Sequence, residues 1–378
     1  MRPRNTLALV ILVVTLAAAA FALAQVKDKA EVKEKAGTED AAANPEGAAE
    51  DARAGIVLTG AGLYSRYCAF CHGRDGEGFA ADEANALGNQ EFLRSATDEF
   101  IVHGIVRGRP GTSMSAWGKE YGGVLGDDDV SALLAFIRSW QVEESIEIGN
   151  ETIDGDAAEG AKTYKQLCAS CHGSKGQGGM AVSVNNPVLH ETASDGYLRH
   201  AIAEGRPGTP MPGFKRKLLA GEIDNLVAYL RTLRVDLEHG PIDKDVDVSF
   251  SKGRLENAVL NPAGPPADFT PRDGRFVPAD SIHAAMEAGK SFIIIDARPH
   301  NDYLQAHVEG AVSVPFYEVD QAVDLLPRDM WIITYCVCPH AMSGRALDRL
   351  REHGFEKTAI LDEGFFEWMS RGYPVGHQ

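Results

Sequence analysis

Hydrophobic and polar positions fall into three successive patterns along the chain, and each predicts a different kind of element. Leu7–Ala24 is an apolar run behind Arg2 and Arg4, and Ala22-Leu23-Ala24 precedes Gln25. That order of charge, apolar run and small-residue site predicts a secretory signal over residues 1–24. An uncleaved anchor is the alternative, because the run is just long enough to span a bilayer. Either way the remainder lies outside the cytoplasm, with the arginines inside. Residues 25–54 are mostly Ala, Glu, Lys, Gly and Asp with no aromatic side chain. Such a stretch buries too little to offset its ordering entropy and reads as a disordered acidic tether.

The second pattern is helical and occurs twice. Val130, Leu133, Leu134 and Ile137 form the stripe of an amphipathic helix, with Asp127–Asp129 at its start, where the helix dipole favours negative charge. The block Asp129-Val-Ser-Ala-Leu-Leu-Ala-Phe-Ile-Arg returns as Glu222-Ile-Asp-Asn-Leu-Val-Ala-Tyr-Leu-Arg. Tyr64-Ser-Arg-Tyr-Cys-Ala-Phe-Cys-His-Gly returns as Tyr164-Lys-Gln-Leu-Cys-Ala-Ser-Cys-His-Gly, and Gly108-Arg-Pro-Gly-Thr-Ser-Met as Gly205-Arg-Pro-Gly-Thr-Pro-Met. Matching blocks in one order mean a duplicated domain, at 55–142 and 157–235, joined by an acidic linker at 143–156. Each copy reads as helix, Gly/Pro-rich middle, helix.

The third pattern begins after a polar, proline-containing linker at 236–275. Phe292–Asp296 and Trp331–Cys336 are β-branched runs too short for helices, with helical stretches between and after them, notably Ser343–His353 closed by Gly354. Alternation of this kind predicts an α/β domain with a buried parallel sheet over 276–378. The fold class is therefore multidomain: two all-α domains, then one α/β domain.

Composition changes this picture only slightly. A chain with 44% hydrophobic and 24% charged residues is ordinary soluble globular protein rather than a membrane bundle. A net charge of −17 excludes nucleic acid as the expected partner and makes a basic redox partner plausible. The six cysteines are too few for a disulfide scaffold, and their spacing carries the chemistry.

Cys68-Ala-Phe-Cys71-His72 and Cys168-Ala-Ser-Cys171-His172 have the spacing of c-type haem attachment. Two thiols one turn apart reach the two vinyl groups of a porphyrin, and the adjacent histidine turns to the iron as an axial ligand. A single such pentapeptide would also suit zinc or a redox pair. Two in tandem in an exported chain point to two covalently attached haem c groups. For the sixth ligand, Met114 and Met211 stand in equivalent Gly-Arg-Pro-Gly-Thr-x-Met loops, with His103, His190 and His200 as the competing donors. Thioether ligation raises the haem potential and suits electron relay. On these motifs residues 55–235 resemble two class I cytochromes c in one chain. The resemblance implies haem iron as the redox centre and one-electron exchange with partner proteins.

Cys336 follows the Trp331–Thr334 strand and precedes a helix, where backbone N–H groups and the helix end stabilise a thiolate or hold a small anion. Ile295-Asp296-Ala-Arg298, Ala306-His307 through Pro315, the Tyr335-Cys336 loop, Leu361 through Gly364, Trp368 and Gly372-Tyr-Pro374 make residues 276–378 similar to a single rhodanese domain. The resemblance implies that Cys336 carries sulfane sulfur as a persulfide, and that Asp296 and His307 are architectural. This loop departs from the family pattern. Arg345 lies farther along than the usual arginine, His340 is nearer, and Cys338 offers a second thiol that could bridge to Cys336. The sequence thus predicts a periplasmic dihaem cytochrome coupled to a sulfurtransferase domain in oxidative sulfur metabolism. A cytochrome whose last domain is a docking module or thiol switch is the alternative.

Overall fold

The computed structural model describes residues 45–79, 81, 83–236, 249–337 and 340–377, with only the backbone of 45–52. The signal at 1–24, the tether up to residue 44, and Cys338 lie outside the described residues. Residues 45–54, expected as tether, belong to the first helix, and no helix among the described residues is long and apolar enough to cross a membrane.

Both repeats are built from the same five helices. In the first these are α1 (Pro45–Tyr67), α2 (Ala69–His72), α3 (Gln90–Ser95), α4 (Asp98–Val106) and α5 (Asp127–Arg138). The second has α6 (Ala157–Leu167), α7 (Ala169–His172), α8 (Pro187–Thr192), α9 (Asp195–Glu204) and α10 (Ala220–Thr232). The predicted stripe is the buried face of α5, where Val130, Leu133 and Ile137 are all in the core. The first and last helices of each repeat cross with no room for a side chain. A Cβ on Gly60 would lie 2.0 Å from the Ala132 carbonyl oxygen, and one on Gly160 would lie 2.0 Å from that of Asn225. One arginine then clasps each repeat. Arg138 donates to the Leu93 and Ala96 carbonyls and to Asp98, and Arg231 donates to the His190 and Ala193 carbonyls and to Asp195.

The C-terminal domain is a sheet of strand order β1-β3-β6-β7-β2, with β5 also on β3. Its strands are β1 (Val259–Leu260), β2 (Phe276–Val277), β3 (Phe292–Asp296), β5 (Val312–Ser313), β6 (Ile332–Tyr335) and β7 (Thr358–Leu361). All pairings are parallel except β1 on β3, and β4 (His307–Val308) pairs antiparallel with β8 (Val375–Gly376). Helices α11 (Ala279–Glu287), α12 (His300–Gln305), α13 (Val319–Ala322), α14 (Ala341–Glu352) and α15 (Gly364–Ser370) complete it. The antiparallel edge strand comes from the stretch expected only as a linker, which also buries Ala267 and Phe269. Phe269 packs edge-on against Phe292 and Trp331. One apolar cluster runs from both helical repeats into one side of this sheet, while a second fills the other side.

Candidate functional site

The attachment motifs sit at a break between two helices. Cys68 N–H donates to the Tyr64 carbonyl, His72 N–H donates to the Cys68 carbonyl, and Gly73, at φ +82°, turns the chain away at once. Gly173 does the same at φ +82° in the second repeat. Each turn is pinned by a tyrosine hydroxyl, with Tyr64 donating to the Gly73 carbonyl and Tyr164 to that of Gly173, both at 2.8 Å. Burial pushes the Cys68 thiol up to about 12 and the Cys168 thiol up to about 11. Thiolate chemistry, as in zinc or redox pairs, needs the opposite shift.

The histidines are oriented alike. A carbonyl only accepts, so Nδ1 of His72 donates to Asn85 O at 3.0 Å, and Nδ1 of His172 donates to Val182 O at 2.8 Å. In both rings the Nε2 lone pair is left for a metal, and the backbone fixes the ring plane. Burial lowers the His72 pKa, opposed by that hydrogen bond, which favours the neutral ring that a metal needs.

The two methionine loops repeat bond for bond. Arg109 N–H donates to Met114 O at 2.7 Å, and Met114 N–H donates to Thr112 Oγ1 at 3.1 Å. Arg206 N–H donates to Met211 O at 2.9 Å, and Met211 N–H donates to Thr209 Oγ1 at 3.2 Å. Gly108 opens the first loop at φ +63°, and a Cβ there would lie 2.5 Å from Met114 O. Both methionines are half-buried against the core cluster that Cys68 and Cys168 also touch. The competing histidines are engaged elsewhere. His200 Nε2 meets Glu91 at 2.6 Å, His190 Nε2 lies on the Val184 carbonyl, and His103 faces Glu99. His103 and His200 lie on the helices leading into the loops, α4 and α9.

Haem c fits these residues. Beyond the thiol pair and the oriented imidazole, Arg109 has its pKa pulled down by burial to about 10. Among the described residues no carboxylate pairs with Arg109 or Arg206; each donates to the carbonyl of the glycine before it. A cation so placed suits a propionate.

Cys336 stands at the end of β6, as its sequence position predicted, but not as an open thiolate. It is 1% exposed, its Sγ donates to Val337 O at 2.9 Å, and Ser343 Oγ on α14 lies 3.2 Å away. The Sγ atom is thus enclosed by the Val337 carbonyl and Ser343 Oγ rather than facing solvent. His340, at φ +80°, starts α14 with its ring tilted on Phe276, and burial lowers its pKa against the pull of Asp362. Asp296 is paired with Arg298 and accepts from the Tyr335 hydroxyl, while His307 stacks on Tyr303 at 3.9 Å. Both hold the domain together.

What the sequence did not reveal is the face these sites share. Phe70, inside the first attachment motif, packs edge-on against Phe316 at 4.7 Å and lies under the Arg345 guanidinium at 5.9 Å. Tyr67 and Trp117 meet Tyr317, Ser115 donates to Asp302, and Asn301 donates to the Ala116 carbonyl. The attachment motif and the methionine loop of the first repeat are therefore both seated on the C-terminal domain. Ser343, against Cys336, and Arg345, against Phe70, lie on the same helix. The available signal was the contrast between Phe70 and Ser170 at equivalent positions.

Comparison with known proteins gives the class of each part. Residues 56–137 and 155–230 match the family described as cytochrome C oxidase, cbb3-type, subunit III, and residues 278–371 match the rhodanese-like domain. The cbb3-type cytochrome c oxidase subunit CcoP of Azospirillum sp. (strain B510) is 29% identical over 47% of this chain and 63% of that protein. The subunit of the same name from Azospirillum brasilense is 30% identical over 49% of this chain and 64% of that protein. The chain thus spans a little under two thirds of the length of these relatives. A rhodanese-like domain from an Anabaena sp. protein is 28% identical, covering 29% of this chain and 81% of that one, with a TM-score of 0.27. The chain is a cytochrome c of two repeats followed by a rhodanese-like domain. Its cytochrome repeats are of the kind that carries covalent haem c and transfers electrons.

Proposed function

We propose that this is a periplasmic dihaem cytochrome in which Cys336 carries sulfane sulfur and the two repeats exchange electrons with it and with partner proteins, in oxidative sulfur metabolism. Cys68, Cys71 and His72 with Met114 hold one haem, and Cys168, Cys171 and His172 with Met211 hold the other. Haem c bound there supplies one-electron exchange. The observation that carries the coupling is the seat of Phe70 on Phe316 and Arg345, which brings the first attachment motif to the helix that also touches Cys336. For loading, Cys336 gives up its proton to solvent and its thiolate attacks the outer sulfur of a donor such as thiosulfate. The new S–S bond forms as the old one breaks, sulfite leaves with its electron pair, and the protein keeps a persulfide. The N-terminal pattern of charge and apolar residues supports export, and the relatives' names, as oxidase subunits, support exchange with redox partners.

Incubating the full chain with thiosulfate tests the loading step. One sulfur should add to the peptide containing Cys336, with thiocyanate released on adding cyanide, and Cys336→Ser should lose both. The near-complete burial of Cys336 favours a second reading, in which the domain docks on the first repeat and its thiol is idle. No added sulfur on the full chain would select that reading.

A further inference from the structure

The asparagines that cap α3 and α8 occupy equivalent places in the two repeats, and each does two jobs. Asn89 Oδ1 accepts from Phe92 N–H, while its Nδ2 donates to the Pro207 carbonyl at 2.8 Å. Asn186 Oδ1 accepts from Val188 and Leu189 N–H, while its Nδ2 donates to the Pro110 carbonyl at 2.6 Å. The first job caps each asparagine's own helix. The second crosses between repeats, because Pro110 belongs to the Met114 loop and Pro207 to the Met211 loop. Around this exchange the repeats meet with rough twofold symmetry. The equivalent rings of Phe100 and Tyr197 lie 4.8 Å apart, with Arg109 over Phe100 and Arg206 over Tyr197. Arg107–Glu191 and His200–Glu91 pairs, each at 2.6 Å, flank them.

We propose that Asn89 and Asn186 are positioning residues acting in trans within the chain, each fixing the methionine loop of the opposite repeat and hence that repeat's iron–sulfur bond. This rests on the reading of Met114 and Met211 as ligands. Each loop closes on itself through Thr112 or Thr209 and carries an arginine that lies over Phe100 or Tyr197, while Pro110-Gly111 and Pro207-Gly208 between them supply no side-chain hydrogen bond of their own. The Pro carbonyl lies inside that closed turn, so a donor clamped to the rigid cap of another helix removes the loop's remaining freedom. The two clamps are unequal: Asn186 is 0% exposed, whereas Asn89 is half-buried. The Met114 loop is accordingly the more tightly held.

The experiment uses the haem-loaded full chain and the long-wavelength absorption band of a ferric iron–sulfur bond. Met211→His alone should remove the second repeat's share of that band and leave the first repeat's. An unchanged band would show that Met211 is not a ligand, and the inference would fall with the reading beneath it. Serine caps a helix as well as asparagine does but is too short to reach the opposite proline. In the Met211→His protein, Asn186→Ser should lower the remaining band at least twofold, and Asn89→Ser should leave it nearly intact. In the Met114→His protein the roles should reverse: Asn89→Ser should lower the remaining band, by less than Asn186→Ser does in the Met211→His protein, and Asn186→Ser should leave it nearly intact. If Asn186→Ser does not fold, the pair of measurements at the more open Asn89 decides. Band loss in the substituted residue's own repeat, equal loss in both repeats, or no loss in either would overturn the proposal.

Discussion

The two cytochrome repeats share their internal contacts and differ outside. Tyrosine pins, glycine crossings, arginine clasps and methionine loops recur with the same partners, so the interior is set by what holding the prosthetic group demands. The attachment faces have diverged. In the first repeat Tyr67, Phe70 and Trp117 form an aromatic face covered by Phe316, Tyr317 and Arg345 of the C-terminal domain. In the second, Leu167, Met180 and Val182 are 42%, 63% and 40% exposed, and Ser170 replaces the phenylalanine. One duplicated domain has thus kept its chemistry and split its contacts, with one face turned to the C-terminal domain and the other to solvent.

Three measurements test that contrast and the domain beside it. The largest effect tests the shared interior. Leu133→Ala and Leu226→Ala, at equivalent fully buried positions, should each cost about 3 kcal/mol in denaturant unfolding, the usual cost of a core leucine. A large difference between them would mean that the two interiors are less alike than their contacts suggest. The next effect tests the outside. Phe70→Ser gives the first repeat the second's residue and should cost about 2 kcal/mol through lost apolar burial and the aromatic pair. Ser170→Phe should change stability by less than about 0.5 kcal/mol, because its side chain faces solvent. Equal effects would erase the proposed asymmetry.

The smallest effect is a pH dependence confined to the C-terminal domain. Burial lowers the His307 pKa from its ordinary 6.5, with the Tyr303 carbonyl opposing, so the folded state favours the neutral ring. The unfolded chain takes up the proton first as pH falls. The stability that His307 contributes is therefore full above pH 6.5 and declines below it, by less than about 1 kcal/mol. His307→Gln should flatten that part of the stability profile. A profile that steepens instead would reverse the sign of the argument.

How much of this was legible in the sequence divides along the same line. The repeats could be read because cofactor attachment demands fixed residues at fixed spacing, and the α5 stripe could be read because a three-turn helix shows its period. The edge strand β1 could not, since two residues ahead of Asn261-Pro262 carry no periodicity. The proline-containing segment reads as a linker, although Phe269 reaches the core through ring packing that no local pattern announces. The position of Cys336 after a strand is legible, but the enclosure of its Sγ by Ser343 and the Val337 carbonyl emerges only on folding. The seat of Phe70 depends on residues more than two hundred positions away. Its single local trace was an aromatic residue where the second copy has serine.

In the proposed scheme the first repeat is the electronic neighbour of Cys336. Adding a persulfide donor to oxidised Met211→His and Met114→His proteins, and timing the loss of the ferric iron–sulfur band in each, tests this. The band of the first repeat, isolated in Met211→His, should disappear first, and Cys336→Ser should slow its loss at least tenfold. Earlier reduction of the second repeat, or an unchanged rate in Cys336→Ser, would contradict it.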